Sequence, residues 1–189
     1  SAINTGQDKL TAALFSRRIV NSEPQELVTS SSFNEALAAH ISEGLGVSQG
    51  STTQVIVPRS TPELLAEIAS TWDLHPVLVD DIYHANQRAK VERYDDVLFV
   101  VLKSAVYIDA KEEVEFNEFH LLMKDNVLVI ICQGDRFIDG TPIPADTSGV
   151  QEYFTNERRS WAKDRELLAL GPEATMFRLL DTVVDGYFP

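Results

Sequence analysis

Apolar residues recur with period two in some stretches of this chain and at spacings of three to four in others, the signatures of strands and amphipathic helices. ALFSRRIV (13–20) and QELVTS (25–30) read as two short strands around a turn at 21–24. SFNEALAAHISEGLG (32–46) has helical spacing, with Ser32 at the N-cap, Glu35 at the capping-box position and Gly44 or Gly46 to stop it. TQVIVP (53–58) is a buried strand closed by Pro58. Thr61-Pro62 then opens a helix that runs to Trp72, because threonine caps well and proline fits the first helical position. A second helix begins near Pro76 and covers VLVDDIYHA.

KVERYDDVLFVVLKSAVYID (90–109), EVEFNEFHLLMK (113–124) and NVLVIICQ (126–133) are strand candidates. Both faces of the second turn apolar towards its end, which places it in the middle of a sheet. Asp125-Asn126 fits a hairpin turn to the third. GDRFIDGTPIPADTSG (134–149) reads as a loop, and VQEYFTNERRSWAKD (150–164) and PEATMFRLLDTVVDGYF (172–188) as helices. The interleaving lacks a strict βαβ repeat. It predicts a single α/β domain over residues 1–189, a mixed parallel and antiparallel sheet sandwiched by helices on both faces.

Composition adds one strong signal. The 189 residues carry a formal charge of −13, so the domain repels nucleic-acid phosphates and gathers cations. The Arg17-Arg18 and Arg158-Arg159 pairs are too small to reverse that field and read as solvated faces. Cys132 is the single cysteine; inside VLVIIC it reads as a buried thiol, and it points to a reducing compartment. The longest apolar runs, VLFVVL and VLVIIC, fall far short of the roughly 20 residues that span a bilayer.

Most chemical motifs are missing. GLGVSQG (44–50) has the wrong spacing for a dinucleotide loop and follows a helix, so it reads as a turn. Asp135, Asp139 and Asp146 do not match a Ca²⁺ loop, and His75, His84 and His120 read as capping or packed side chains. Two acidic pairs remain. Asp80 and Asp81 are adjacent, so on a helix they diverge by about 100°. Asp181 and Asp185 are four apart on one helix face, where like charges repel unless a cation neutralises them. On spacing alone, a solvated helix face explains both.

The order of motifs tips the balance. LHPVLVDDIYHANQRAKVERYDDVLFVVLKSAVY, then FNEFHLLMKDNVLVIIC, then LLDTVVDGYF resembles the cytoplasmic N-terminal domain of CorA-type divalent-cation transporters, from about Thr61 to Phe188. The resemblance implies that Asp81 belongs to an intersubunit regulatory Mg²⁺ site, and that Asp80 and Asp181 belong to a neighbouring one with Asp185 as a further candidate. It also carries departures: Asp80 stands where the family often has glutamate, and Ala89 replaces the proline of a QRPK-like segment.

By the same resemblance, the chain is no enzyme but the sensing domain of an Mg²⁺ or Co²⁺ channel at the cytoplasmic face of the inner membrane. The whole transporter would be a homopentamer, and a fragment a monomer or weak oligomer. Membrane contact would come only through a stalk helix and two spans absent from this sequence, with 172–189 leading towards that stalk. A zinc-transporting member of the superfamily is the near alternative. A small Mg²⁺-dependent phosphohydrolase is the distant one, and a plain interaction domain is the bland one.

Overall fold

The computed structural model describes residues 13–20, 23–41 and 51–161. The apolar runs become strands β1 (Leu14–Val20), β2 (Glu23–Pro24), β3 (Val28–Ser30), β4 (Thr52–Val57), β5 (Lys90–Tyr94), β6 (Val97–Ile108), β7 (Glu113–Lys124) and β8 (Val127–Cys132). They form one eight-stranded sheet in the order β2-β1-β4-β8-β7-β6-β5, with β3 also paired to β1. β4 and β8 run parallel and every other pair antiparallel, so the sheet is mixed as the sequence predicts. β7 lies between β6 and β8, which explains why its second half is apolar on both faces.

Helices cover both faces. Phe33 of α1 (Phe33–Ile41), Leu64, Leu65 and Ile68 of α2 (Pro62–Thr71), and Leu78 and Ile82 of α3 (Pro76–Tyr83) pack on Val55, Val57, Phe99, Val101, Leu122, Val129 and Ile131. On the other face, Val150 and Phe154 of α4 (Thr147–Trp161) and Phe137, Ile138 and Ile143 of the preceding loop meet Ile56, Val100, Phe119, Leu121 and Ile130. The layering is α/β/α.

Caps set where the helices begin. The Ser32 hydroxyl accepts from Glu35 N at 3.1 Å, and the Glu35 carboxylate reaches back to the Ser31 hydroxyl at 3.0 Å, a capping box shifted by one residue. Thr61 Oγ1 accepts from Leu64 N at 3.2 Å. His75 Nδ1 accepts from Val77 N at 3.1 Å, so it is a capping side chain.

Boundaries differ from the sequence reading in three places. Residues 90–109 are a hairpin, not one strand, because Asp95 takes the left-handed conformation (φ 53°) in the turn between Tyr94 and Val97. The expected turn at 21–24 contains β2, and only 28–30 of the second segment is strand. α4 starts at Thr147 instead of 150, since Asp146 Oδ1 caps it by accepting from Gly149 N at 2.7 Å.

The fourth correction is chemical. Arg17 and Arg18 are 2% and 5% exposed, not solvated. β1 is an interior strand, flanked by β4 on one edge and by β2 and β3 on the other. Arg17 Nε donates to Gln54 Oε1 at 2.8 Å, its Nη2 pairs with Glu157 of α4 at 3.0 Å, and its guanidinium lies over the Phe154 ring. Such pairing is what lets a strand bury a guanidinium beneath a helix. The turn at 44–50, the helix at 172–188 and the side chains of Arg158 and Arg159 lie outside the described residues.

Candidate metal-binding site

α3 ends over the β5–β6–β7 side of the sheet, and its last turn presents the two adjacent acids. They diverge as helix geometry requires. Asp80 turns outward, its side chain 76% exposed and its Oδ1 3.6 Å from His84 Nδ1. Asp81 turns towards the sheet, 21% exposed, and its Oδ2 accepts from Lys90 Nζ at 2.8 Å. Asp181 and Asp185 lie outside the described residues, so their distance from this pair is not defined.

The lysine belongs to a polar network that runs along the sheet. Lys90 is the first residue of β5, and its ammonium also lies 3.5 Å from Glu92 Oε1 and over the Phe99 ring. The Tyr94 hydroxyl donates to Glu92 Oε2. That bond, with burial reinforcing it, pushes the Tyr94 hydroxyl up to about 12. The hydrogen bond to Asp81 raises Lys90 above the ordinary lysine value despite partial desolvation, so the group remains an ammonium throughout neutral pH.

The segment between Asp81 and Lys90 is fastened at Gln87. Its backbone N–H donates to Glu118 Oε1 of β7 at 2.9 Å, and its side-chain amide donates back to Asp81 O and His84 O at the end of α3. Glu118 Oε2 lies 2.6 Å from Nε2 of the fully buried His120, whose Nδ1 is 3.2 Å from the Gln133 amide. One neutral tautomer satisfies all three groups: Nε2–H donates to the carboxylate and Nδ1 accepts from the amide. Burial lowers His120 below the ordinary histidine range, with Glu118 opposing the shift. His120 is therefore a packed side chain, as its strand position suggested.

Cys132 is buried, and desolvation pushes its thiol up to about 12, so it carries no reactive thiolate at neutral pH. Among the described residues, no three His, Cys, Asp or Glu side chains converge as a metal cage, and no helix is long and apolar enough to cross a membrane. Sequence reasoning singled out the QRAK segment and read His120 as a packed or capping side chain, but not the partnership of Lys90 with Asp81, nor Glu92 and Glu118. Lys90 lies nine residues beyond Asp81, and only the path of the intervening loop brings the two together.

Residues 55–189 match the family described as CorA-like Mg²⁺ transporter protein. Over 128 residues the chain is 25% identical to the cobalt/magnesium transport protein CorA of Thermotoga maritima, covering 67% of this chain and 32% of that protein. It is 27% identical over 118 residues to the putative metal ion transporter YfjQ of Bacillus subtilis, covering 62% of this chain and 31% of that protein. The chain thus spans roughly a third of the length of the curated relatives it matches.

Among solved structures, the complete CorA magnesium transporter from Methanocaldococcus jannaschii aligns with a TM-score of 0.53 at 10% identity, over 92% of this chain and 45% of that one. The soluble domain of CorA from the same organism aligns with a TM-score of 0.52 at 12% identity, over 94% and 58%. At such identities the likeness is one of fold. The family consists of transporters, not enzymes. With a family match over most of its length and the fold of the CorA soluble domain, the chain belongs to the CorA-like Mg²⁺ transporter family.

Proposed function

We propose that this chain is the cytoplasmic cation-sensing domain of a CorA-like transporter of Mg²⁺ or Co²⁺ in the inner membrane, with Asp81 a ligand of one regulatory divalent ion and Asp80 a ligand of a second, neighbouring one. The observation that carries this reading is the end of α3. There one carboxylate is held at a fixed position and its neighbour opens to solvent, on a domain with a formal charge of −13.

The donor chemistry fits the ion. Mg²⁺ prefers hard oxygen ligands, keeps several of its waters and is commonly held by one or two carboxylates, so one aspartate at each site, without a closed cage, is a sufficient donor on this side. Asp181 and Asp185 are assigned as further ligands on the family resemblance alone. A bound Mg²⁺ would supply a double positive charge that offsets these carboxylates.

The chain's own part follows from electrostatics. In a homopentamer of such domains, acidic faces repel one another across each gap, and that repulsion favours a loosened ring. A cation held at these aspartates favours the closed ring by attraction that loss of a carboxylate would remove, because a ligand shifts an equilibrium through its differential affinity for the two states. Sensitivity in the millimolar range, suited to an abundant ion, follows from so few protein ligands.

Flux measurements on the full-length transporter in vesicles test the reading. Asp81→Asn should keep conducting at internal Mg²⁺ concentrations that close the parent. Asp96→Asn should leave the inhibition curve in place, because Asp96 sits in the β5–β6 turn and pairs with Lys124 at 3.4 Å. Closure of Asp81→Asn and the parent at the same internal Mg²⁺ would refute the assignment.

A further inference from the structure

We propose that Lys90 is a built-in competitor for the cation at Asp81, and that it sets the concentration at which a divalent ion can be sensed. The inference rests on the assignment of Asp81 as a ligand and concerns how that ligand is regulated. Its basis is the short contact between Lys90 Nζ and Asp81 Oδ2, 2.8 Å, made where both side chains are largely shielded, at 17% and 21% exposure.

Three features make this contact more than a passing surface pair. The lysine backbone is fixed by the sheet, where Lys90 pairs with Val101, and the aspartate backbone is fixed by the last turn of α3. Both backbones are therefore held at facing positions before the pair forms, which leaves only the side-chain rotamers to be ordered. The ammonium lies over the Phe99 ring, which favours a cation at that point. Glu92, held by the Tyr94 hydroxyl, gives it a second carboxylate at 3.5 Å.

The ammonium therefore occupies the place a divalent ion needs at Asp81 Oδ2. A competing state that holds the ligand reduces the apparent affinity by the fraction of time the ligand is free. An ion pair at the upper end of the range for partly exposed groups leaves Asp81 free roughly one-fifth of the time, which weakens Mg²⁺ binding about fivefold. The divalent ion wins only when it is abundant, and on binding it releases Lys90 towards Glu92. Lys90 thus acts as a threshold element.

The test uses MgCl₂ as the probe on the full-length transporter, against NaCl at matched ionic strength, with binding read by calorimetry. Lys90→Met keeps the apolar stem and removes the charge; its Mg²⁺ dissociation constant should fall about fivefold or more. Lys90→Arg keeps the charge and should bind like the parent. The double variant Lys90→Met/Asp81→Asn should lose the gain. A measurement that needs no variant follows the side-chain nitrogen resonance of Lys90 in the parent, which should shift with the same midpoint as Mg²⁺ binding.

The outcomes separate the two claims. If Asp81→Asn abolishes Mg²⁺ binding while Lys90→Met leaves it unchanged or weaker, the competitor role falls and the ligand assignment stands. A Lys90 resonance unmoved at saturating Mg²⁺ likewise overturns the competitor role. If Asp81→Asn binds Mg²⁺ as the parent does, or no form responds beyond NaCl, the ligand assignment falls and takes this inference with it.

Discussion

Glu118→Gln probes the network that positions the site, and the structure fixes what it should do. The carboxylate is 8% exposed at the residue level and serves two donors at once, Gln87 N–H at 2.9 Å and His120 Nε2 at 2.6 Å. A glutamine of the same shape has a single acceptor oxygen. One of the two donors must then face an NH₂ group, and the surviving bond loses its charge. Hydrogen bonds to charged groups contribute about 1.5–3 kcal/mol each, so the substitution should cost about 2–3 kcal/mol. For a domain of this size that is a fall in thermal midpoint of roughly 5–10 °C. Urea unfolding should show a lower midpoint at unchanged slope, since the surface exposed on unfolding is the same. A local readout accompanies the global one: amide exchange at Gln87 should quicken, because Glu118 is its hydrogen-bond partner. A loss below about 0.5 kcal/mol with Gln87 exchange unchanged would refute the argument that Glu118 fastens the 84–89 loop.

Two further perturbations test the framework. Leu78 is fully buried between α3 and the sheet, so Leu78→Ala should cost about 2–5 kcal/mol in urea unfolding and loosen the helix that carries both acids. Cys132 gives a pH dependence of definite sign. Its thiol is pushed from 9.0 up to about 12 by burial, so the fold favours the protonated form; its contribution is complete below pH 9 and is lost as pH rises towards 12. Thermal midpoints taken from pH 8 to 11 should fall less steeply in Cys132→Ala than in the parent, and equal slopes would contradict the buried assignment.

Local pattern carried much of the fold. Thr61-Pro62 and His75-Pro76 mark helix starts that the structure places within a residue, because a cap and a proline act on their own backbone. The doubly apolar end of β7 revealed its central place because burial on both faces leaves no solvent side for polar residues. Where the reading failed, the deciding partner lay far off in sequence. Arg17-Arg18 looked like a solvated pair since nothing nearby announces that Gln54 and Glu157 come to meet Arg17 from β4 and α4. The hairpin hidden in 90–109 turned on a single aspartate adopting positive φ, a conformation the apolar pattern does not encode.

The candidate site divides the same way. That Asp80 and Asp81 diverge follows from helix geometry alone, and the structure gives the two directions their meaning: one carboxylate to solvent, the other to Lys90. What helix geometry cannot supply is the counter-charge. It arrives by way of a loop whose course is set by Glu118, a residue on the third strand of a meander and 31 positions beyond the Gln87 it holds. The buried His120 locks that carboxylate from below, and its own second nitrogen is taken by Gln133, next to the end of β8. A cation-responsive carboxylate needs two properties that pull in opposite directions, a fixed position and an available oxygen. The sheet network supplies the first through Glu118 and Gln87. The second is controlled by Lys90, the residue at which the same loop enters β5, so anything that loosens the loop should alter both the position of the ligand and its availability together.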